Sequence, residues 1–376
     1  MRPSVRRTNH RVASHLVFGL RQVDLLIVLS RHAGDLTLAA EGIRHVVYDP
    51  SQRPPWWCFR FWILRLIGNQ RVASEIRTLL TIVSVLRCRA IISSDAYRDL
   101  IKAEPLLRSA HLYFVQHGLF SANPDKARVL GKSFVIRDSD ITLFSIGQFD
   151  RRFYVSGGIR PKRVIPIGTL KNSVYCQSMA ANAVGGVAKS YDLCVVEKGI
   201  KAQPDSDFSK LRLDSWVHIL SALNHYCHNT DFRVIVALSN SDDPSEVLQW
   251  IKRHFRYEFD VSDPLDPFAT YRAVDQSEVT IGQSSTVLCE ALSRHRKVLS
   301  VDYSTPSLFN LPGDGIAILK NPSLLEFAER IDVIRRLDWA TYQKSLSEET
   351  IDLLGPDPRL GIHTISQTVR RDLAGY

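Results

Sequence analysis

The chain has 376 residues, 45% apolar and 23% charged, with 48 Lys and Arg against 39 Asp and Glu for a net charge of +9. That composition is ordinary for a globular protein, the length calls for two domains, and the basic excess suits an anionic ligand or membrane surface. No zinc-finger, RNP-like or helix-turn-helix pattern supports nucleic acid as a partner, and no apolar run reaches the ~18 residues of a membrane span.

A basic tail, residues 1–16, carries Arg2, Arg6, Arg7 and Arg11 and lacks the apolar core and cleavage site of a secretory signal. VDLLIVL (23–29) and VVYD (46–49) read as buried strands on either side of RHAGDLTLAAEG, a loop and helix. PPWWCFRFWILRLIG (54–68) mixes Trp and Arg with aliphatic residues. It suits a helix lying at a lipid interface, with the basic tail adding attraction to anionic lipid; a helix buried in the first domain is the alternative. A helix-compatible stretch at 71–87 leads to AIISS (90–94), LYFV (112–115), ITLFS (141–145) and VIPIG (164–168). Short apolar runs spaced by helices or loops indicate a parallel sheet covered on both faces.

QSMAANAVGGVAKS (177–190) is small, polar and Gly-centred, and reads as a linker between domains at 17–176 and 191–345. The α/β pattern then restarts with YDLCVVEKG (191–199), a helix at 209–228 and FRVIVAL (232–238). A helix at 244–255, YEFDV (257–261), a helix at 267–276, SEVTIG (277–282), a helix at 284–295 and KVLSVD (297–302) follow. The helical segment 346–376 is expected to pack back toward the first domain. The fold class expected is α/β, two Rossmann-like domains with mainly parallel sheets facing a cleft. Six cysteines without CxxC spacing read as reduced thiols of a cytosolic protein, not a disulfide frame or zinc site.

TIGQSSTVLCEAL (280–292) places Gly282, Ser284, Ser285 and Thr286 at a strand-to-helix turn, with Glu290 farther along the helix. Such a turn lies at the carboxyl edge of an open sheet, where free N–H groups and hydroxyls attract phosphate. Glu290 would then accept hydrogen bonds from a ribose; an ordinary Ser/Thr cap with a helix-face Glu is the alternative. YFVQHGLF (113–120) ends a strand in Gln116-His117-Gly118, setting an imidazole at the carboxyl edge of the first sheet as a base or hydroxyl ligand. A structural His is equally compatible. Lys198 and Lys201, after the first strand of the second domain, would neutralise leaving-group phosphates unless they form a solvated loop. Asp95 and Asp35 are strand-end carboxylates open to catalytic or turn roles.

YFVQHGLF, SDITLFSIGQFDRRFYVSGGIRPKRVIPIGTLKNSVY and SEVTIGQSSTVLCEALSRHRKVLSVDYS together resemble GT-B glycosyltransferases. Within them the chain is similar to bacterial surface-carbohydrate and capsule transferases with a Gln-His-Gly motif. Asp140, Gly147, Gly158, Lys162 and Gly168 match the segment that closes the first domain in such enzymes. Ser284, Ser285 and Glu290-Ala291-Leu292 match their nucleotide-holding pattern. The resemblance implies a metal-independent, GT-B-like glycosyltransferase of the cytoplasm, acting at the inner face of the membrane. Its donor would be a nucleotide sugar, with no separate cofactor, and its acceptor a glycan or glycolipid. His117, Gln116 and Asp95 are the implied catalytic residues; Gly282, Ser284, Ser285, Thr286, Glu290 and Lys198 are the implied donor ligands. Strand 232–238 is followed by SNSDDP, without the His-Pro of related cytidine-nucleotide enzymes, which leaves the donor open. A nucleotide-sugar epimerase, a polyol-phosphate transferase and a non-catalytic partner of a glycan assembly complex remain as alternatives.

Overall fold

The computed structural model describes residues 25–28, 43, 45–48, 88–94, 110–116, 137–149, 159–182, 188–197, 200, 206–228, 230–238, 244–263, 266–283 and 285–375. Six strands build the first sheet: β1 (Leu25–Val28), β2 (His45–Tyr48), β3 (Ala90–Ser94), β4 (His111–Val115), β5 (Arg137–Ser145) and β6 (Ile159–Pro166). They lie in the order β2-β1-β3-β4-β5-β6, and every pair is parallel. The apolar runs account for this, because a strand covered on both faces has no polar side to alternate with. In β4, Leu112, Tyr113, Phe114 and Val115 are all buried in succession.

Helix α1 (Leu170–Asn182) leaves the first sheet, and the second begins with β7 (Tyr191–Val196). Then come α2 (Asp207–Cys227), β8 (Val234–Ala237), α3 (Pro244–His254), β9 (Asp260–Val261), α4 (Ala269–Asp275), β10 (Ser277–Gly282), α5 (Thr286–Ser293), β11 (Lys297–Asp302) and β12 (Ile318–Lys320). This sheet is also parallel, ordered β12-β11-β10-β7-β8-β9. Counted from its own first strand that order is 6-5-4-1-2-3, the doubly wound arrangement of dinucleotide-binding folds. Helix α2 is capped by Ser206, whose hydroxyl accepts from the Ser209 N–H, and buries Trp216, Ile219, Leu220, Leu223 and Tyr226 at helical spacing against the sheet.

Several boundaries differ from the sequence expectation. Strand β5 starts at Arg137, ahead of the apolar run, because its polar start pairs with the start of β6 across a register shift between Ser139 and Thr142. YEFDV contributes only Asp260 and Val261 to the sheet, since Phe259 turns inward and stacks on Phe255. Helix α1 extends through residues 177–182, the opening of the expected linker. The residues there, Gln177 to Asn182, include Met and two Ala, which favour a helix once it has started.

After α6 (Leu324–Arg336), α7 (Trp339–Lys344) and α8 (Glu348–Ile351), the chain returns to the first sheet as α9 (Gly361–Ala374). Ile362, Ile365, Val369 and Leu373 of α9 join a core with Ile92, Tyr113, Val115 and Phe144. Tyr113 donates to Asp372 Oδ2 at 2.8 Å, and Arg163 pairs with the same carboxylate. Burial alone would raise the Asp372 carboxyl, but Arg163 and Tyr113 outweigh it and hold it below its ordinary value.

The return path passes through a close backbone crossing. A Cβ on Gly355 would stand 2.7 Å from the Ile146 carbonyl oxygen and 2.8 Å from Gly168 Cα. Gly355→Val should therefore destabilise the chain by about 1–3 kcal/mol in denaturant unfolding, the cost of forcing atoms into a packed site. Gly375→Ala is the control, because its nearest neighbour would be 3.8 Å away. Equal unfolding midpoints for the two variants would refute the tight crossing.

Candidate functional site

In the second sheet the connections run one way from β7 to β8 and the other way from β10 to β11, so the switch point lies between β7 and β10. Ligands of open α/β sheets bind outside the strand carboxyl ends at that point. Gly282 lets the two strand ends come together: a Cβ there would lie 2.9 Å from the Val196 carbonyl oxygen.

A cavity of about 210 Å³ opens beside this edge. Val196 lines it from the end of β7 with Glu197 next to it, Leu238 from just after β8, Ser262 and Asp263 from just after β9, and Thr270 and Tyr271 from α4. Ser285, Thr286 and Val287 close it at the start of α5, and Lys171 enters from α1. Drug-sized ligands occupy pockets of roughly 300–1,000 Å³, so this cavity accommodates one part of a nucleotide sugar and not the whole.

Ser285 is the N-cap of α5, its Oγ accepting from the Val287 N–H at 3.3 Å. The capping alternative therefore holds for Ser285, which does not by itself bar a ligand role, because a hydroxyl both donates and accepts. Gln283 is anchored behind the turn. Its Nε2 donates to Ser215 Oγ at 2.8 Å, and Ser215 in turn donates to Asp302 Oδ1 at 3.1 Å. Asp302 is fully buried at the end of β11 and also accepts from the Ser304 and Phe309 N–H groups and the Ser304 and Ser307 hydroxyls. This hub ties the turn between β10 and α5 to helix α2 and the loop after β11.

Glu290 lies outside the cavity lining, one turn farther along α5, and is 5% exposed. Its Oε1 accepts from the hydroxyl of Thr169, the residue just before α1. Thr169 Oγ1 also accepts from the Asn172 N–H at 3.2 Å, so the carboxylate faces the start of α1, a position the helix dipole favours. Oε2 of Glu290 makes no hydrogen bond among the described residues.

The same corner holds a buried ionic cluster. Arg294 donates to Asp275 Oδ1 at 3.1 Å and to Asn172 Oδ1 at 2.5 Å, and its guanidinium lies 5.3 Å and 4.8 Å from the ring centres of Tyr175 and Tyr271. Tyr175 donates to Asp275 Oδ2 at 2.9 Å, and Asn172 Nδ2 donates to Ser293 Oγ at 2.9 Å. Helix α1 is thereby fastened to α4 and α5.

Of the sequence-predicted donor ligands, the fold brings Ser285 and Thr286 to the cavity, while Gly282 at the end of β10 and Glu290 on α5 lie outside its lining. Gln116 follows β4 with 0% exposure, and its N–H donates to the Phe144 carbonyl at 2.9 Å. His117, Asp95, Lys198, Ser284, Lys201, Asp35 and the aromatic stretch 54–68 lie outside the described residues. Sequence reading missed Thr169, Lys171 and Arg294. A basic residue just after Glu-Ala-Leu was the available signal for Arg294 alone.

Residues 207–311 match a protein-family model described as "putative O-antigen biosynthesis protein". No curated protein matches the chain in sequence. Among solved structures, a glycosyltransferase from Rickettsia africae aligns over 95% of this chain and 100% of its own, with TM-score 0.53 and 11% identity. The UDP-GlcNAc 2-epimerase of Methanocaldococcus jannaschii, in complex with UDP-GlcNAc and UDP, covers the same shares with TM-score 0.54 and 11% identity. MnaA of S. aureus, solved with UDP, aligns over 94% of this chain and 97% of its own with TM-score 0.58 and 11% identity. The chain therefore has the GT-B fold, two Rossmann-type α/β halves with parallel sheets, as glycosyltransferases and nucleotide-sugar epimerases do.

Proposed function

We propose that the protein is a glycosyltransferase that moves a sugar from a nucleotide-sugar donor to a glycan or glycolipid acceptor in bacterial surface-polysaccharide assembly. The observation that carries this reading is the cavity at the β7/β10 switch point, bordered by the α5 N-terminus, with the open Oε2 of Glu290 beside it. The family match over 207–311 supports the polysaccharide context, and the UDP and UDP-GlcNAc in the structural neighbours support the donor class.

In this reading Ser284, Ser285 and Thr286 hold the donor phosphates and Glu290 holds the ribose. As the sugar–phosphate bond breaks, negative charge grows on the leaving nucleotide. Donors already fixed at the helix start stabilise it without reorganising, and Lys198 adds positive charge. His117, with Asp95 as the other candidate, takes the acceptor hydroxyl proton. These groups do the work without a bound metal. The basic tail and residues 54–67 bring the enzyme to the inner face of the membrane, where a glycolipid acceptor resides. No helix among the described residues is long and apolar enough to cross a membrane.

The test is incubation of the protein with UDP-, GDP-, CMP-, CDP- and TDP-sugars, with and without glycan or glycolipid acceptors. Sugar transfer that requires acceptor supports the proposal. Formation of an epimer without acceptor would replace it with the epimerase reading, the activity named for the M. jannaschii neighbour. His117→Ala should slow turnover by about 10²–10⁴-fold while leaving donor affinity in place; unchanged turnover would remove His117 as the base.

A further inference from the structure

We infer that Lys171, supplied by the helix that leaves the first sheet, is the cation that admits the donor's phosphates to the cavity of the second. The inference rests on the donor-site reading above and adds a residue to it from the other half of the molecule. Lys171 is the second residue of α1. Its position is held from both sides: Thr169 donates to Glu290, and Asn172 bonds Ser293 and Arg294. The side chain therefore projects from a backbone already fastened to the second domain, so little ordering remains to be done when a ligand arrives.

Lys171 lines the same cavity as Ser285 and Thr286, with its ammonium 5.4 Å from the Tyr271 ring centre. That separation is within cation–π range, and the ring steadies the charge without neutralising it. Lys171 has no carboxylate partner among the described residues. The carboxylates that share the lining are engaged elsewhere in part: Glu197 accepts from the Ile200 N–H at 2.8 Å, and Asp266 accepts from the Phe268 N–H at 2.9 Å and pairs with Arg272. Asp263 is the third acid of the lining. With three acids around it, the cavity would repel a diphosphate if Lys171 were neutral. Lys171 therefore offsets part of the negative charge of the lining, beside the Lys198 of the donor-site reading, and a sequence-distant residue on the interdomain helix joins the site.

Calorimetric titration of the full-length protein with UDP, GDP, CDP and TDP, and with the matching nucleosides, separates charge from base contacts. Lys171→Gln should weaken the best-binding diphosphate by about tenfold or more, the scale of a charge-assisted contact. It should leave the matching nucleoside unchanged, and Lys171→Arg should keep diphosphate affinity near that of the parent chain. Melting curves confirm that the variants fold, and the Arg substitution supplies a folded comparison if the Gln one melts early. Full diphosphate affinity in Lys171→Gln, or an equal loss for the nucleoside, overturns this inference while the donor site stands. Failure of the parent chain to bind any nucleotide overturns the donor-site reading and this inference with it.

Discussion

Arg294→Met is expected to lower the unfolding free energy by about 3–5 kcal/mol, the cost of removing one partner from a buried ion pair. The Arg294 side chain is 5% exposed and that of Asp275 is 7% exposed, so neither charge is hydrated in the fold. Arg296 also reaches Asp275 Oδ1, at 3.1 Å, but its side chain is 26% exposed and it does not bond α1. Methionine fills much of the space and keeps the packing between Tyr175 and Tyr271, so the loss reports charge and hydrogen bonds more than volume. The double variant Arg294→Met with Asp275→Asn should recover part of the loss, because it removes a buried carboxylate left with only Arg296 and Tyr175 as partners. A single-variant cost below about 1 kcal/mol, the scale of an exposed pair, would show that the cluster does not hold α1 in place.

The pH dependence of that cost has a definite sign. Burial works to raise the Asp275 carboxyl, yet Arg294, Arg296 and Tyr175 outweigh it and keep it below its ordinary value. A depressed carboxylate pKa contributes stability above the unfolded value and loses it as the pH falls through the folded one. The stability gap between parent and Arg294→Met should therefore be full near neutrality and narrow below about pH 4, where the unfolded carboxylate takes up its proton. Urea unfolding of both proteins across that range measures it.

Glu290→Gln is expected to weaken binding of the preferred nucleoside diphosphate by about 10–100-fold, the worth of hydrogen bonds to a charged group. Glutamine keeps one carbonyl oxygen for the Thr169 hydroxyl and exchanges the other for an amide nitrogen. The contact with α1 is thus retained while the open acceptor is lost, which separates binding from folding. The melting temperature should change little. Unaltered affinity in this variant would remove Glu290 from the donor site and leave it as a purely structural link between α5 and α1.

Much of the architecture was legible locally. AIISS (90–94), SEVTIG (277–282) and KVLSVD (297–302) are strands with the boundaries their apolar runs suggest. Ser285 caps α5 as a Ser before an apolar helix should. Strand β12, Ile318–Lys320, escaped notice because three residues carry too little periodicity to register. Gln116 marks the limit of local reading: a polar residue at a strand end looks alike in sequence whether it faces a ligand or packs under the next strand.

The amino-acid order by itself determined two parallel α/β halves and the polar turn at the mouth of the second, since apolar spacing, caps and turn residues act over a few positions of backbone. Tertiary structure alone decided what surrounds that turn. Thr169 meets Glu290 across 121 residues, Arg294 meets Asn172 across 122, and Tyr175 meets Asp275 across 100. Contacts at such separations depend on where α1 comes to rest against α4 and α5, and that is set by the packing of whole elements, which no local pattern encodes.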